Sequence, residues 1–550
     1  MTGSPVVLLA AGQGSLLSPL TAFLVVICLC FLLCLVAGVA NDTAADFWTA
    51  ERSMPALRNA LALCGDYLPA TALLSPIGTV ALAGYDGMAT AASAAASMAV
   101  LLVLAEPLRN TGRFTLGSVL ATRTNGHTGR AARIAGAVTT VAVCVPLTVV
   151  QLRVAGEATA YVLGSRTPGA ALVCTVLSGL LITTFAAFGG MRGTGMIQTG
   201  KTLLVLGVVV AVAVAAGGAL HWDLGALMDR SAIGGGGAAV FHAPGLLFGP
   251  AAPGPLEQFS LCLTVALGSA VVPPLLMRVG ASLDGRTARR ATGYAAAVIS
   301  AFYGIVVLLG LAAAAVVGVR GIATDDPQGN SALLLLTDTL AHGAGGRVLF
   351  TAVACAVFVT ALASVAGLTL AGAAALSHDL HTGVLRRGRS TDRRELAAAQ
   401  WSIVAMGVVA VGLAVLLRGW SILFLASFAA AAAASVILPA LVYTLFWPGF
   451  SRLGMLWTLH GSLVCCFLLQ LFGPTVSGRP YSLLPHVDFH WFPLQNIAVV
   501  TVPIGFLLGW AGSRLRPPTT AERAAHTDAE TIMLVGHRTR SLASGATAER

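Results

Sequence analysis

One carboxylate stands inside an otherwise apolar stretch, Asp66 in Leu63-Cys64-Gly65-Asp66-Tyr67-Leu68-Pro69. An ionisable side chain at that depth of an apolar run is costly to bury and points to function. Asp66 could neutralise a cation, carry a proton, or pair with Arg153, a base inside another apolar run. Arg153 and Glu157 stand four residues apart, so a local ion pair along one helix face is the preferred reading for that Arg. Attraction of an anionic substrate is its alternative. Thr360 and Ser364 share the same spacing, which puts two hydroxyls one turn apart on one face. Hard cations favour oxygen ligands, so hydroxyls facing the freed carbonyls of a broken helix would suit sodium. Membrane hydroxyls also bond back to the carbonyl four residues earlier, and the spacing alone does not choose.

Such groups need helices that break at membrane depth, where freed backbone groups must face protein or water. Two stretches carry the residues for it. Gly65, Pro69 and Ser75-Pro76-Ile77-Gly78 interrupt one, and Gly268-Ser269-Ala270-Val271-Val272-Pro273-Pro274 interrupts another, five spans later. Paired discontinuous helices at matching positions of two inverted repeats are a transporter signature, with substrate and ion at the midplane.

The whole composition demands a membrane. Of 550 residues, 57% are hydrophobic and 10% charged, with a mean hydropathy of +0.85. Soluble domains carry about 25% charged residues, so a soluble enzyme is excluded. Spans are expected at about 20–40, 55–84, 88–106, 134–163, 169–188, 195–219, 256–276, 293–318, 346–377, 398–417, 420–447, 453–473 and 493–512, thirteen in all. The first lacks a basic leader and a clear cleavage site, so it reads as a retained helix. The ten cysteines all lie in apolar runs without CxxC spacing and read as small buried hydrophobes.

The net charge of +10 comes from short Arg clusters, with Lys201 the one base that is not Arg. Nucleic-acid binding would need Arg massed on a soluble domain. Here the Arg falls in alternate connections: 107–133, 277–292 (with Arg278) and 378–397 are rich, whereas 220–257 and 319–345 are poor. The positive-inside rule places the rich set in the cytoplasm, the N-terminus outside and the C-terminal tail inside. Residues 514–550 turn polar and are expected to be a disordered cytoplasmic tail. Arg in place of Lys, with abundant Ala and Gly, suggests a GC-rich bacterial genome and hence a bacterial plasma membrane.

The chain resembles the sodium:solute symporter family, and within it the cation/acetate symporters, or acetate permeases. The resemblance is carried by Ala83-Gly84-Tyr85-Asp86-Gly87; Ala105-Glu106-Pro107-Leu108-Arg109-Asn110 with Gly112-Arg113-Phe114-Thr115-Leu116; Phe188-Gly189-Gly190-Met191-Arg192-Gly193-Thr194; Leu276-Met277-Arg278; Ala366-Gly367-Leu368-Thr369-Leu370-Ala371-Gly372 running into Ser377-His378-Asp379-Leu380; and Leu445-Phe446-Trp447. It covers about 45–475. It implies an all-α membrane protein with a core of two inverted five-helix repeats, one helix before it and two after. The corresponding segments are an extra helix and loop over 1–54, a transport core over 55–447, two added helices over 448–513, and the tail. It further implies a sodium site formed by the carbonyls of Gly65 and Leu68 together with Thr360, Ala363 and Ser364. The substrate would lie beside it, near Asp66, Tyr67, Ala72 and the break before Pro273.

Some positions depart from acetate permeases. Leu68-Pro69 and Ser75-Pro76 replace the usual Met-Ser and small-residue continuation, and Pro274 stands where relatives carry His. These departures cluster at the expected cavity. The leading expectation is sodium-coupled symport of a small monocarboxylate such as acetate, with no cofactor beyond the coupling ion and no metal beyond that site. A proton-coupled carrier of a related anion, working through Asp66, and a transporter-like sensor or scaffold without turnover are the alternatives.

Overall fold

A computed structural model describes residues 43–123, 127–162, 167–340, 343–387, 389–418 and 423–535 and a few isolated positions before them. The expected first span, 20–40, lies outside the continuously described residues.

The described chain is helical, and its breaks follow from sequence. Helices α1 (Ala56–Tyr67) and α2 (Ala70–Ala83) meet at a bend of 62°. Pro69 has no N–H to give and pushes its predecessor out of the helical region, and Leu68 accordingly sits at φ −101°, ψ 76°. Then follow α3 (Tyr85–Asn110), α4 (His127–Val162) and α5 (Pro168–Ala219). At 1.5 Å per residue α5 would be roughly 78 Å long, far beyond a bilayer core. Gly190 divides it, at φ 52° and ψ −156°, a conformation open to glycine alone. The fifth and sixth expected spans are its two arms.

A second interrupted pair comes next, α6 (Gly254–Gly268) and α7 (Pro273–Gly280). A tight turn over Ser269–Val271 and an extended Val272 separate them. The remaining long helices are α8 (Gly285–Val316), α9 (Gly343–Ala374), α10 (Asp392–Leu416), α11 (Leu423–Phe446), α12 (Arg452–Leu471) and α13 (Ala498–Leu515). Among the described residues ten helices are long and apolar enough to cross a membrane, or eleven with α1 and α2 taken as one bent span.

Several helices outrun the hydropathy. α4, α8 and α10 begin six to eight residues before the expected spans, because helical backbone continues past the membrane into the Arg-bearing turns. Large apolar side chains on the outer faces, such as Val103, Leu177 and Val408, stay exposed, as a lipid-facing belt requires.

The Arg-rich connections meet on one face. Arg109 donates to Ser282 O and Leu283 O, both at 2.6 Å, and Arg133 lies 3.3 Å from the buried Asp379. The Arg-poor connections carry short helices of their own, Leu224–Ile233 and Val319–Asp325 among them. Arg278 departs from its expected place in a connection: it lies within α7, with its side chain 2% exposed. The tail departs as well. Residues Thr520–Val535 form helix α14, which docks on the Arg-rich face, where Asn110 Nδ2 donates to Met533 O at 2.7 Å.

Candidate functional site

The break in α1 and α2 gathers side chains from four helices. Asp66, at the end of α1, accepts from Arg278 Nε of α7 at 2.7 Å through one oxygen and from Gln198 Nε2 of α5 at 2.8 Å through the other. Both members of the ion pair are 2% exposed. An unpaired charge at this depth would be far more costly than the pair. Arg278 is held from behind as well: Asn59 Nδ2 donates to its carbonyl at 3.2 Å.

One turn beyond Gln198 on α5 is Lys201, 1% exposed. Its Nζ donates to Gly65 O of α1 at 2.6 Å and to Ser364 Oγ of α9 at 3.0 Å. Gln198 Nε2 also donates to Ala363 O at 2.9 Å. The second arm of α5 can come this close only because position 65 has no side chain: a Cβ there would stand 2.5 Å from Gln198 O. Gly367 on α9 plays the same part opposite Asp66, where a Cβ would meet Oδ1 at 2.8 Å.

Of the five residues expected to hold sodium, the structure therefore joins Gly65, Ala363 and Ser364 around Lys201 and Gln198. Ser364 donates its own proton to Thr360 O at 2.7 Å, and the Thr360 hydroxyl donates to Ala356 O. Both hydroxyls make the back-bond to the preceding turn that the spacing left open. Leu68 sits at the bend itself, with its N–H on Cys64 O. This oxygen set does not fit a sodium ion as it stands. Two unit charges 4 Å apart still repel by about 4 kcal/mol at an effective dielectric of 20, and an ammonium already uses two of the oxygens.

The expected substrate residues divide. Tyr67 is buried, its hydroxyl 2.7 Å from Ser97 Oγ and its ring edge-on to Tyr303 at 6.5 Å. Ala72 is half-buried on the first turn of α2, and Pro273 opens α7. Arg153 is elsewhere. It lies 3.6 Å from Glu157 and donates to Leu417 O at 3.3 Å, so Asp66 pairs with Arg278 and not with Arg153.

Four site residues escaped the sequence, among them Gln198, a neutral amide that bonds to Asp66 and Ala363 O. Lys201 lies inside the expected span 195–219, and the rule that singled out Asp66 applies to it equally. Arg278 was hidden because α7 is too short to stand out from a connection. Gln151 gave no signal. It caps the start of α2, where Oε1 accepts from Ala70 N at 3.2 Å and Nε2 donates to Thr71 Oγ1 at 3.1 Å.

The model of the sodium:solute symporter family matches residues 47–461, most of the chain. The chain belongs to the sodium:solute symporter family. It is a multi-pass membrane transporter and not an enzyme. It is 31% identical over 537 residues to a monocarboxylic acid transporter of Corynebacterium glutamicum, covering 96% of both chains. It is 32% identical over 505 residues to the uncharacterized symporter YwcA of Bacillus subtilis, covering 91% of this chain and 94% of the other. Among solved structures, a substrate-bound, outward-open Na+-coupled sialic acid symporter superposes with a TM-score of 0.69 at 13% identity, covering 91% of this chain and 98% of that one. A nucleobase-cation-symport-1 family transporter in a closed conformation gives 0.54 at 13% identity, over 90% of this chain and 100% of that one. At these identities the likeness is one of fold.

Proposed function

We propose that the chain is a secondary active transporter that takes up a small monocarboxylate such as acetate, driven by a cation gradient. One observation carries the reading. Two basic side chains and one carboxylate gather at the broken helices: Arg278 pairs with Asp66, and Lys201 donates to the carbonyl of the neighbouring Gly65. With Lys201 as ammonium the cluster holds one surplus positive charge, which a monocarboxylate would balance. The start of α2 is the seat we assign to the anion for its positive dipole end, with Gln151 and Pro69 O already accepting from the Ala70 and Ala72 N–H groups. The start of α7 is a poorer one, because Pro273 and Pro274 remove two donors there. The 31% identity to a monocarboxylic acid transporter supports the same substrate class.

In this reading α1 with α2 and α6 with α7 are the broken helices of two inverted repeats, and the Arg-rich face with α14 is cytoplasmic. Inward movement of a cation gains about 2.3 kcal/mol per charge per 100 mV. Sodium is the cation expected of the family, but the residues that would cradle it are engaged by Lys201 and Gln198. Uptake of radiolabelled acetate into proteoliposomes tests the substrate, with unlabelled pyruvate, propionate and glyoxylate as competitors. Saturable uptake inhibited by these acids is expected. Absence of both uptake and competition would refute the substrate class.

A further inference from the structure

Three of the five residues that the resemblance assigns to sodium already have their oxygens engaged. Gly65 O and Ser364 Oγ accept from Lys201 Nζ, and Ala363 O accepts from Gln198 Nε2. We infer that Lys201 is the resident cation of this transporter: its ammonium takes the seat expected for sodium between α1 and α9, and transport runs without sodium. The inference rests on the transport reading but concerns the ion and not the solute.

The residue type fits the place. Every other basic residue in the chain is Arg, yet here the base must join one carbonyl and one hydroxyl on different helices. A compact ammonium on a flexible stem does this, whereas a planar guanidinium fork is built for paired oxygens. The stem itself is buried and supported. α5 lies against α1 where Gly65 faces Gln198, and Thr202, next to Lys201, donates to Leu61 O at 2.8 Å. Lys201 therefore does mechanically what a bound cation would do, tying the end of α1 to α9. The charged groups bonded into the cluster beside Lys201 are Asp66 of α1 and Arg278 of α7, which bond to each other. A sodium ion added here would meet an ammonium, with Asp66 already committed to Arg278 and Gln198.

The test uses the full-length purified protein. Its thermal unfolding midpoint is measured while sodium chloride replaces choline chloride at constant ionic strength, which holds screening fixed. The wild-type midpoint is expected not to move with sodium. In Lys201→Ala the released oxygens become available, and a saturable, sodium-specific rise of a few degrees is expected. Wild-type acetate uptake into proteoliposomes should stay within twofold when choline replaces sodium. A saturable sodium-specific rise in the wild-type midpoint, or uptake stimulated tenfold or more by sodium, would overturn the inference. Because the wild-type titration decides by itself, poor folding of Lys201→Ala leaves the test intact. If no monocarboxylate is taken up while the wild-type midpoint ignores sodium, the substrate reading fails and the sodium-free seat stands.

Discussion

Arg278 Nε lies 2.7 Å from Asp66 Oδ2, and both side chains are almost fully enclosed. The pair joins the first interrupted helix to the second, so the two breaks are fastened together by one charge-assisted bond. Removing one partner leaves the other charged and buried, whereas removing both leaves neither.

Asp66→Asn is therefore expected to destabilise the protein by about 3–5 kcal/mol. The double variant Asp66→Asn with Arg278→Met should be closer to wild type than Asp66→Asn alone. Chemical unfolding in detergent, run as a double-mutant cycle, reads the difference. Equal losses in the single and double variants would show that the pair is not coupled.

Gly65 offers a sharper probe of the helix contact. A Cβ at that position would stand 2.5 Å from Gln198 O and 2.7 Å from Gln198 Cβ, so α1 and α5 must separate to accept Gly65→Ala. Overpacking of this kind costs about 1–3 kcal/mol. The separation also pulls Gly65 O away from Lys201, and initial uptake rates should fall at least tenfold. Gly200, on the same helix, has nothing within 4 Å of its would-be Cβ. Gly200→Ala should keep uptake and gain about 0.5–1 kcal/mol.

Part of this arrangement was legible from sequence, and each miss has its own physical cause. Asp66 declares itself because a carboxylate interrupts an apolar run, and Pro69 and Pro273 mark the breaks by backbone chemistry alone. Lys201 was equally visible in its run, but its partners, one carbonyl and one hydroxyl from distant helices, exist only after packing. Arg278 was misplaced because hydropathy cannot tell a short buried half-helix from a charged connection. The tail was misread for the reverse reason: α14 is too polar to look structured, and its order comes from contacts such as Asn110 with Met533.

Gly190 is expected to tolerate no other residue. Its φ of 52° with ψ of −156° separates the two arms of α5, and side chains avoid that region at a cost of about 1–3 kcal/mol. Gly190→Ala should lower stability by that amount and lower the yield of folded protein in membranes. Fluorescence-detected size exclusion combined with thermal melts would read both. An unchanged profile would mean that the turn between the arms is not strained.

The docking of α14 should depend on pH. His526 is buried on this helix, near Arg123 and 3.7 Å from Glu530. Burial, reinforced by the Arg123 charge and only partly offset by Glu530, holds its imidazole below the ordinary value of 6.5. The docked state thus prefers the neutral ring. The sign follows: docking strength is complete above 6.5 and is lost as pH falls through the depressed value, because the undocked ring then binds a proton more readily. Hydrogen exchange of residues 520–535, corrected for intrinsic rates, should show protection at pH 7.5 that declines by pH 5.5. His526→Gln carries no titrating ring and should keep the same protection at both. Loss of protection in that variant with the wild-type pH profile would assign the effect to a group other than His526.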